Sequence, residues 1–190
     1  YLKMGLVVEL ATLVDRPFEL LREMENRARS SVLGESGSYV LGEWSGIAFR
    51  IDTEDFVTDS EQVREVLTFP NNIARVPGAK RWLIGIANLH GHLVPLIDLK
   101  MFLGGGRTSI RRNTRIISIN HHDMPAGIVV DEVCGFRRFL ESEYIELAPE
   151  NSIRCENYLR GAYDRDNNIW SVFNFYGLLK SSVFLKVAAD

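Results

Sequence analysis

The side chains with the most chemical potential are four histidines, two cysteines and several close-set carboxylates. His90 and His92 stand two apart, the spacing at which side chains of one strand face the same way and can both reach a single ion. No third ligand lies close by in sequence, Asp98 being the acid that folding could bring near, so a metal is not expected. His121 and His122 are adjacent, which points their rings to opposite sides of an extended chain and suits a surface turn. Asp131 and Glu132 diverge by the same alternation, and Asp164 and Asp166 sit in a polar turn, so neither pair suits acid/base work. The run Gly104-Gly105-Gly106-Arg107-Thr108-Ser109 lacks the lysine of a phosphate-binding loop and reads as a flexible connection. Gly34-Glu35-Ser36-Gly37 fails the spacing of a nucleophile elbow and reads as linker. Cys134 and Cys155 have neither zinc-site nor disulfide-framework spacing. No catalysis, cofactor or metal is expected, and the chain's chemistry must lie in binding.

Binding features are easier to find. Val63, Glu65 and Leu67 should share one face of a strand, an acid between two apolar groups, which suits an edge that docks a partner. The plainer alternative makes Val63 and Leu67 core with Glu65 solvated, and Val66 is a further candidate for the inward residue. Trp82 should be partly buried with Arg75, Lys80 and Arg81 as its exposed rim. Arg111, Arg112 and Arg115 form a basic cluster that reads as a solvated loop.

The elements that position these residues follow from periodicity. Leu10, Leu13, Val14, Phe18, Leu21 and Met24 recur at three- and four-residue steps, and Asp15 ahead of Pro17 starts an amphipathic helix over 17–29. Its apolar face, Phe18, Leu21 and Met24, is expected to dock back on the main domain, the alternative being a partner's groove. Residues 30–42 are rich in Gly and Ser and read as a linker. From Trp44 the period becomes two, with Ile47, Phe49 and Ile51 on one face of a half-buried strand. Short apolar runs separated by turn-rich sequence follow to residue 175, a pattern of antiparallel barrels rather than a doubly wound sheet, and 176–188 reads as a closing helix.

Composition agrees. The 190 residues are 46% hydrophobic and 25% charged, as in a soluble globular domain, and the formal net charge of −3 offers no general attraction for nucleic acid or an anionic membrane. Apolar stretches are too short to cross a bilayer, and residues 1–13 read as ordinary sequence rather than a secretory leader because Glu9 interrupts them.

Four segments occur in the order found in the CheW family of chemotaxis coupling proteins. They are Val63-Arg64-Glu65-Val66-Leu67; Arg75-Val76-Pro77-Gly78-Ala79; Gly85-Ile86-Ala87-Asn88-Leu89-His90-Gly91 running into Leu93-Val94-Pro95-Leu96-Ile97-Asp98-Leu99; and Gly127-Ile128-Val129-Val130-Asp131-Glu132-Val133. The chain resembles that family over roughly residues 44–179, and Pro17-Phe18-Glu19-Leu20-Leu21 is similar to the branch serving the type IV pilus chemosensory system. The resemblance implies an all-β fold with terminal helices, in which two intertwined five-stranded SH3-like β-barrels share a hydrophobic core. Residues 1–43 would be a helical extension and linker, 44–180 the CheW-like domain and 181–190 a C-terminal helix or tail, with 104–109 connecting the barrels.

The resemblance also implies a non-catalytic, cytoplasmic adaptor at membrane-associated receptor arrays. Its partners would be the regulatory domain of a CheA-type histidine kinase, met by Val63, Glu65 and Leu67, and the cytoplasmic tip of a chemoreceptor, met by His90, Ile128 and Val130. The output would be twitching motility, with self-association or array assembly left open. The family usually carries Asn-Leu-Arg-Gly where this chain has His90, and an imidazole lacks the fixed charge and forked donors of arginine. Other readings are the same scaffold serving flagellar chemotaxis or another partner, a nucleic-acid-binding barrel of OB type, and a barrel hydrolase.

Overall fold

The computed structural model describes residues 43–121, 124–146 and 152–187. The helix expected over 17–29, the linker over 30–42 and His122 therefore lie outside the described residues. The strands run in chain order as β1 Glu43–Ile51, β2 Glu54–Asp59, β3 Val63–Thr68, β4 Leu83–Leu89, β5 His92–Asp98, β6 Arg115–Ile119, β7 Gly127–Val130, β8 Glu132–Leu140, β9 Tyr144–Ile145, β10 Leu159–Arg165 and β11 Asn168–Phe173. Short helices α1 (Leu99–Phe102), α2 (Phe175–Lys180) and α3 (Ser182–Leu185) complete the described domain.

Two sheets result, one of order β8-β1-β2-β11-β10-β9 and one of order β3-β6-β7-β5-β4. The second is made from the middle of the chain and the first from both sides of it, so the two are interleaved. This is the mostly β, paired-barrel architecture expected, with two-residue β9 as a sixth strand of the first sheet. Parallel pairing closes both excursions: β11 returns beside β2 through Ser171↔Phe56 and Val172↔Val57, and β7 lies beside β5.

The apolar run over 126–133 is divided rather than continuous. Asp131 carries the chain from one sheet to the other, its backbone N–H donating to Arg50 O and its carboxylate accepting from Asp52 N–H at 2.7 Å. Strand β1 is buried on both faces instead of one. Phe49 and Ile51 enter the core between the sheets, while Ala48 packs with Val57, Phe139 and Tyr163 in a second cluster. The expected half-buried alternation fails because β1 is central in its sheet, between β8 and β2.

The shared core is aromatic where it meets the first sheet. Phe49 stacks on Phe56 and Phe175 with centroids 5.5 Å apart in each case, and Phe173 lies edge-on to Phe49 at 6.1 Å. Ile97, Ile117 and Ile128 face them from the second sheet.

Residues 104–109 do not join the barrels, because α1 before them and β6 after them belong to the second sheet's stretch of chain. Nor is the run a free tether. Asp98, only 2% exposed, caps α1 by accepting from Met101 N–H at 3.1 Å, and accepts from both the N–H and the hydroxyl of Thr108 at 3.0 and 2.8 Å. A buried carboxylate needs such donors, so Asp98 and the loop hold each other.

The closing helix is broken at Ser181, whose backbone is extended and whose hydroxyl caps α3 by accepting from Phe184 N–H. The segment is no loose tail: Phe184 stacks on Trp82 at 5.6 Å, and Val187 O accepts from Lys80 N–H at 2.9 Å. Trp82 is thereby buried more fully than its sequence neighbourhood suggests; of its expected rim Arg75 and Arg81 are exposed, but Lys80 is half-buried, its N–H held by Val187 O.

Three substitutions test this account by urea denaturation. Asp98→Ala strands three donors and removes a helix cap, and should lower the unfolding free energy by about 3 kcal/mol, whereas Thr108→Val should cost about 1 kcal/mol. Phe184→Ala should cost about 3 kcal/mol and red-shift tryptophan emission as Trp82 meets water.

Candidate protein-binding surface

Among the described residues, strand β3 is an edge strand, paired only to β6. A short 3-10 turn, Ser60–Gln62, feeds it, capped by the Asp59 carboxylate accepting from Glu61 N–H at 2.9 Å. A register shift between Val63 and Glu65 leaves Arg64 as an extra residue, and such a bulge turns an edge strand. Burial then alternates strictly: Val63, Glu65 and Leu67 are half-buried and Arg64, Val66 and Thr68 exposed. Val63 packs against the shared core and Leu67 against a third cluster around Leu89 and Leu96. Val66 is the outward residue, 38% exposed, so the edge offers a partner Arg64, Val66 and Thr68 on one face and Glu65 on the other.

His90 lies at the tip of the β4–β5 hairpin. The turn has two central residues, His90 with φ +51° and Gly91 with φ +88°, between the pair Leu89↔His92, and Asn88 Oδ1 accepts from Gly91 N–H at 2.8 Å. Positive φ at both centres is the type I′ form whose twist suits a two-residue hairpin. His90 and His92 are thus not neighbours on one strand face, because the chain reverses between them. Asp98 is at the far end of β5 from His92, roughly 20 Å away at ~3.3 Å rise per residue, and is occupied with Thr108. No cluster of metal-ligating side chains occurs among the described residues.

The fold brings the two expected surfaces together. His90 Nε2 is 3.4 Å from Glu65 Oε2, with side-chain exposures of 67% and 35%, so the hairpin tip and the β3 edge make one patch. Ile128 and Val130 do not belong to it. They are 0% and 1% exposed in β7, whose neighbours β5 and β6 flank it, and fill the core rather than reach a receptor.

Several other charged residues hold the fold. Asp131 secures Asp52, and Arg50 links Asp55 at 2.8 Å with Glu132 at 3.4 Å. The hydrogen bond to Asp55 strengthens the proton affinity of Arg50. Arg115 donates to the carbonyls of Arg112 and Thr114, while Arg111 and Arg112 are exposed as expected of a loop. Burial raises the Cys134 thiol above its ordinary pKa, against the opposing pull of Arg50, and likewise raises the Tyr163 phenol. Both stay neutral at physiological pH, in keeping with packing roles. Of the two acids expected in a polar turn, Asp166 is a central residue of a second two-residue turn with positive φ at Asp166 and Asn167, whereas Asp164 lies in strand β10, paired with Ile169.

One surface escaped the sequence reading. The second half of β8 is exposed at Phe136, Arg137, Arg138 and Leu140, and the signal for it was Gly135 standing between two apolar runs.

Comparison with known proteins matches this geometry. The CheW-like domain family matches residues 45–183. The chain is 34% identical over 176 residues to the protein PilI of Pseudomonas aeruginosa, covering 92% of this chain and 98% of that protein. It is 35% identical over 104 residues to the chemotaxis protein CheW of Bacillus subtilis, covering 55% of this chain and 65% of that protein. Among solved structures, the scaffolding protein TtCheW from Thermoanaerobacter tengcongensis shares the fold with a TM-score of 0.63 at 24% identity, over 74% of this chain and 94% of that one. Interleaved sheets, an open β3 edge beside the β4–β5 tip and a relative alike along nearly its whole length lead to one conclusion: the chain belongs to the CheW family.

Proposed function

We propose that this chain is a non-catalytic adaptor that couples methyl-accepting chemoreceptors to a CheA-type histidine kinase. It works in the cytoplasm at membrane-associated arrays, and its likeness to PilI along 92% of the chain favours control of type IV pilus twitching motility over flagellar chemotaxis. The observation that carries the reading is the open β3 edge with His90 beside it: half-buried Val63 and Leu67 hold the strand in place while Glu65 and Val66 stay accessible. An edge strand with unpaired main-chain groups and an apolar residue is suited to extending a sheet into a partner. The kinase regulatory domain is assigned to Val63, Glu65, Leu67 and Val66, and the receptor tip to the His90 side. No helix among the described residues is long and apolar enough to cross a membrane.

Calorimetric titration of the full chain with the isolated regulatory domain of a pilus-type CheA kinase should give saturable one-to-one binding. Val66→Asp should weaken it at least about ten-fold, equivalent to ~1.4 kcal/mol, with an unchanged circular dichroism spectrum. Charging Val63 or Leu67 should weaken binding too but also lower stability, since both touch core clusters. Absence of binding by folded protein would turn the assignment toward a scaffold for a different partner. On the receptor side, His90→Arg supplies a permanent charge and forked donors opposite Glu65, and should tighten binding to a receptor cytoplasmic fragment several-fold. Unaltered affinity in both His90→Arg and His90→Ala would remove His90 from the interface.

A further inference from the structure

The six-stranded sheet carries a surface that the adaptor reading leaves unused. Between Ala48↔Gly135 and Phe49↔Val133 the register of β8 slips, with Cys134 as the extra residue and Gly135 at φ +94°. A bulge of this kind re-aims the strand beyond it. Residues 136–138 consequently stand exposed, whereas Phe139 stays in the core stacked on Tyr163 at 4.6 Å. The sheet curls until β8 meets the β10–β11 hairpin, where the Arg165 guanidinium donates to the Arg138 carbonyl. Between them opens a cleft of about 430 Å³ lined by Phe136, Arg137, Arg138, Arg165, Asp166 and Trp170.

Its charges are unequally met. Arg165 lies 3.7 Å from Glu143 and 3.8 Å from Asp166. Arg137 is held over the Trp170 ring at 5.7 Å, and neither it nor Arg138 forms an ion pair among the described residues. In a chain of net charge −3 this local excess is not a general property of the surface. Phe136, 52% exposed, is the single phenylalanine among the described residues left so open to water.

We propose that this cleft docks an acidic segment of a partner protein, with carboxylates paired to Arg137 and Arg138 and an apolar side chain against Phe136. Guanidinium groups match carboxylates in a two-pronged geometry, and one already fixed over an indole loses little freedom on binding. Successive side chains leave opposite faces of a strand, so a segment running along the edge of β8, which pairs no further strand among the described residues, meets both arginines. Exposed aromatic and arginine side chains together are the usual anchors of protein interfaces. The overall negative charge disfavours a nucleic acid in the same place. The surface lies on the other sheet from β3 and His90, so it stands whether or not those bind kinase and receptor.

The test uses the full chain and a synthetic glutamate-rich peptide of about ten residues bearing one phenylalanine, with its glutamine counterpart as control. Saturable binding of the acidic peptide with a change in tryptophan fluorescence, and none of the control, is expected. The double substitution Arg137→Glu with Arg138→Glu should weaken binding at least about ten-fold, while Val66→Asp leaves it unchanged. Should the double variant lose its native circular dichroism spectrum, Arg138→Gln alone replaces it, with a several-fold loss expected. Equal binding of both peptides, no binding at all, unchanged affinity in a folded variant, or tighter binding of a single-stranded oligonucleotide at the same salt would each overturn the proposal.

Discussion

Phe49, Phe56, Phe173 and Phe175 meet in the core where the first sheet faces the isoleucines of the second, and the domain depends on that contact. Each phenylalanine buried there contributes on the order of 2 kcal/mol by removal of apolar area, with ring pairs adding about 1 kcal/mol. The residues come from β1, β2 and the far end of the chain after β10. The core therefore joins residues from both sides of the middle stretch, β3 to β7, to residues within it. Interleaving thus makes one cooperative unit of two sheets, and explains why Phe184, a few residues from the end, is buried against Trp82.

A core built this way leaves function to the margins. β7 is enclosed between its neighbours, which is why Ile128 and Val130 serve packing. The open edges at β3 and β8 are both bulged, at Arg64 and at Cys134, and both bear side chains that packing does not use. Bulges interrupt the regular ladder that would otherwise invite indiscriminate strand pairing, so each edge keeps a specific shape. The hairpin tip is fixed in another way, by positive φ at His90 and Gly91 and the Asn88 side chain, which aim the imidazole at Glu65.

Much of this was legible in the residues. Period-two alternation and short spacing indicated barrels, and the motifs from Val63 to Val133 carried the family and its edge strand. Burial on both faces of β1, the break at Asp131 and the helix stop at Ser181 were not legible, because each depends on what lies opposite in space. The glycine run at 104–106 looked loose because its anchor, Thr108 bound by buried Asp98, is a contact across ten residues and not a local pattern.

By itself the sequence determined the class of fold and the alternation that places Val63, Glu65 and Leu67 on one face, since these follow from backbone periodicity and residue type, and its ordered motifs carried the resemblance to the family. Tertiary structure alone decided which apolar residues are core and which are surface: Val66 out, Ile128 and Val130 in, Phe136 out beyond a bulge. It also decided that Glu65 and His90 meet. A hydrophobic side chain has the same chemistry in either setting, and only the presence or absence of a neighbouring strand determines whether water reaches it.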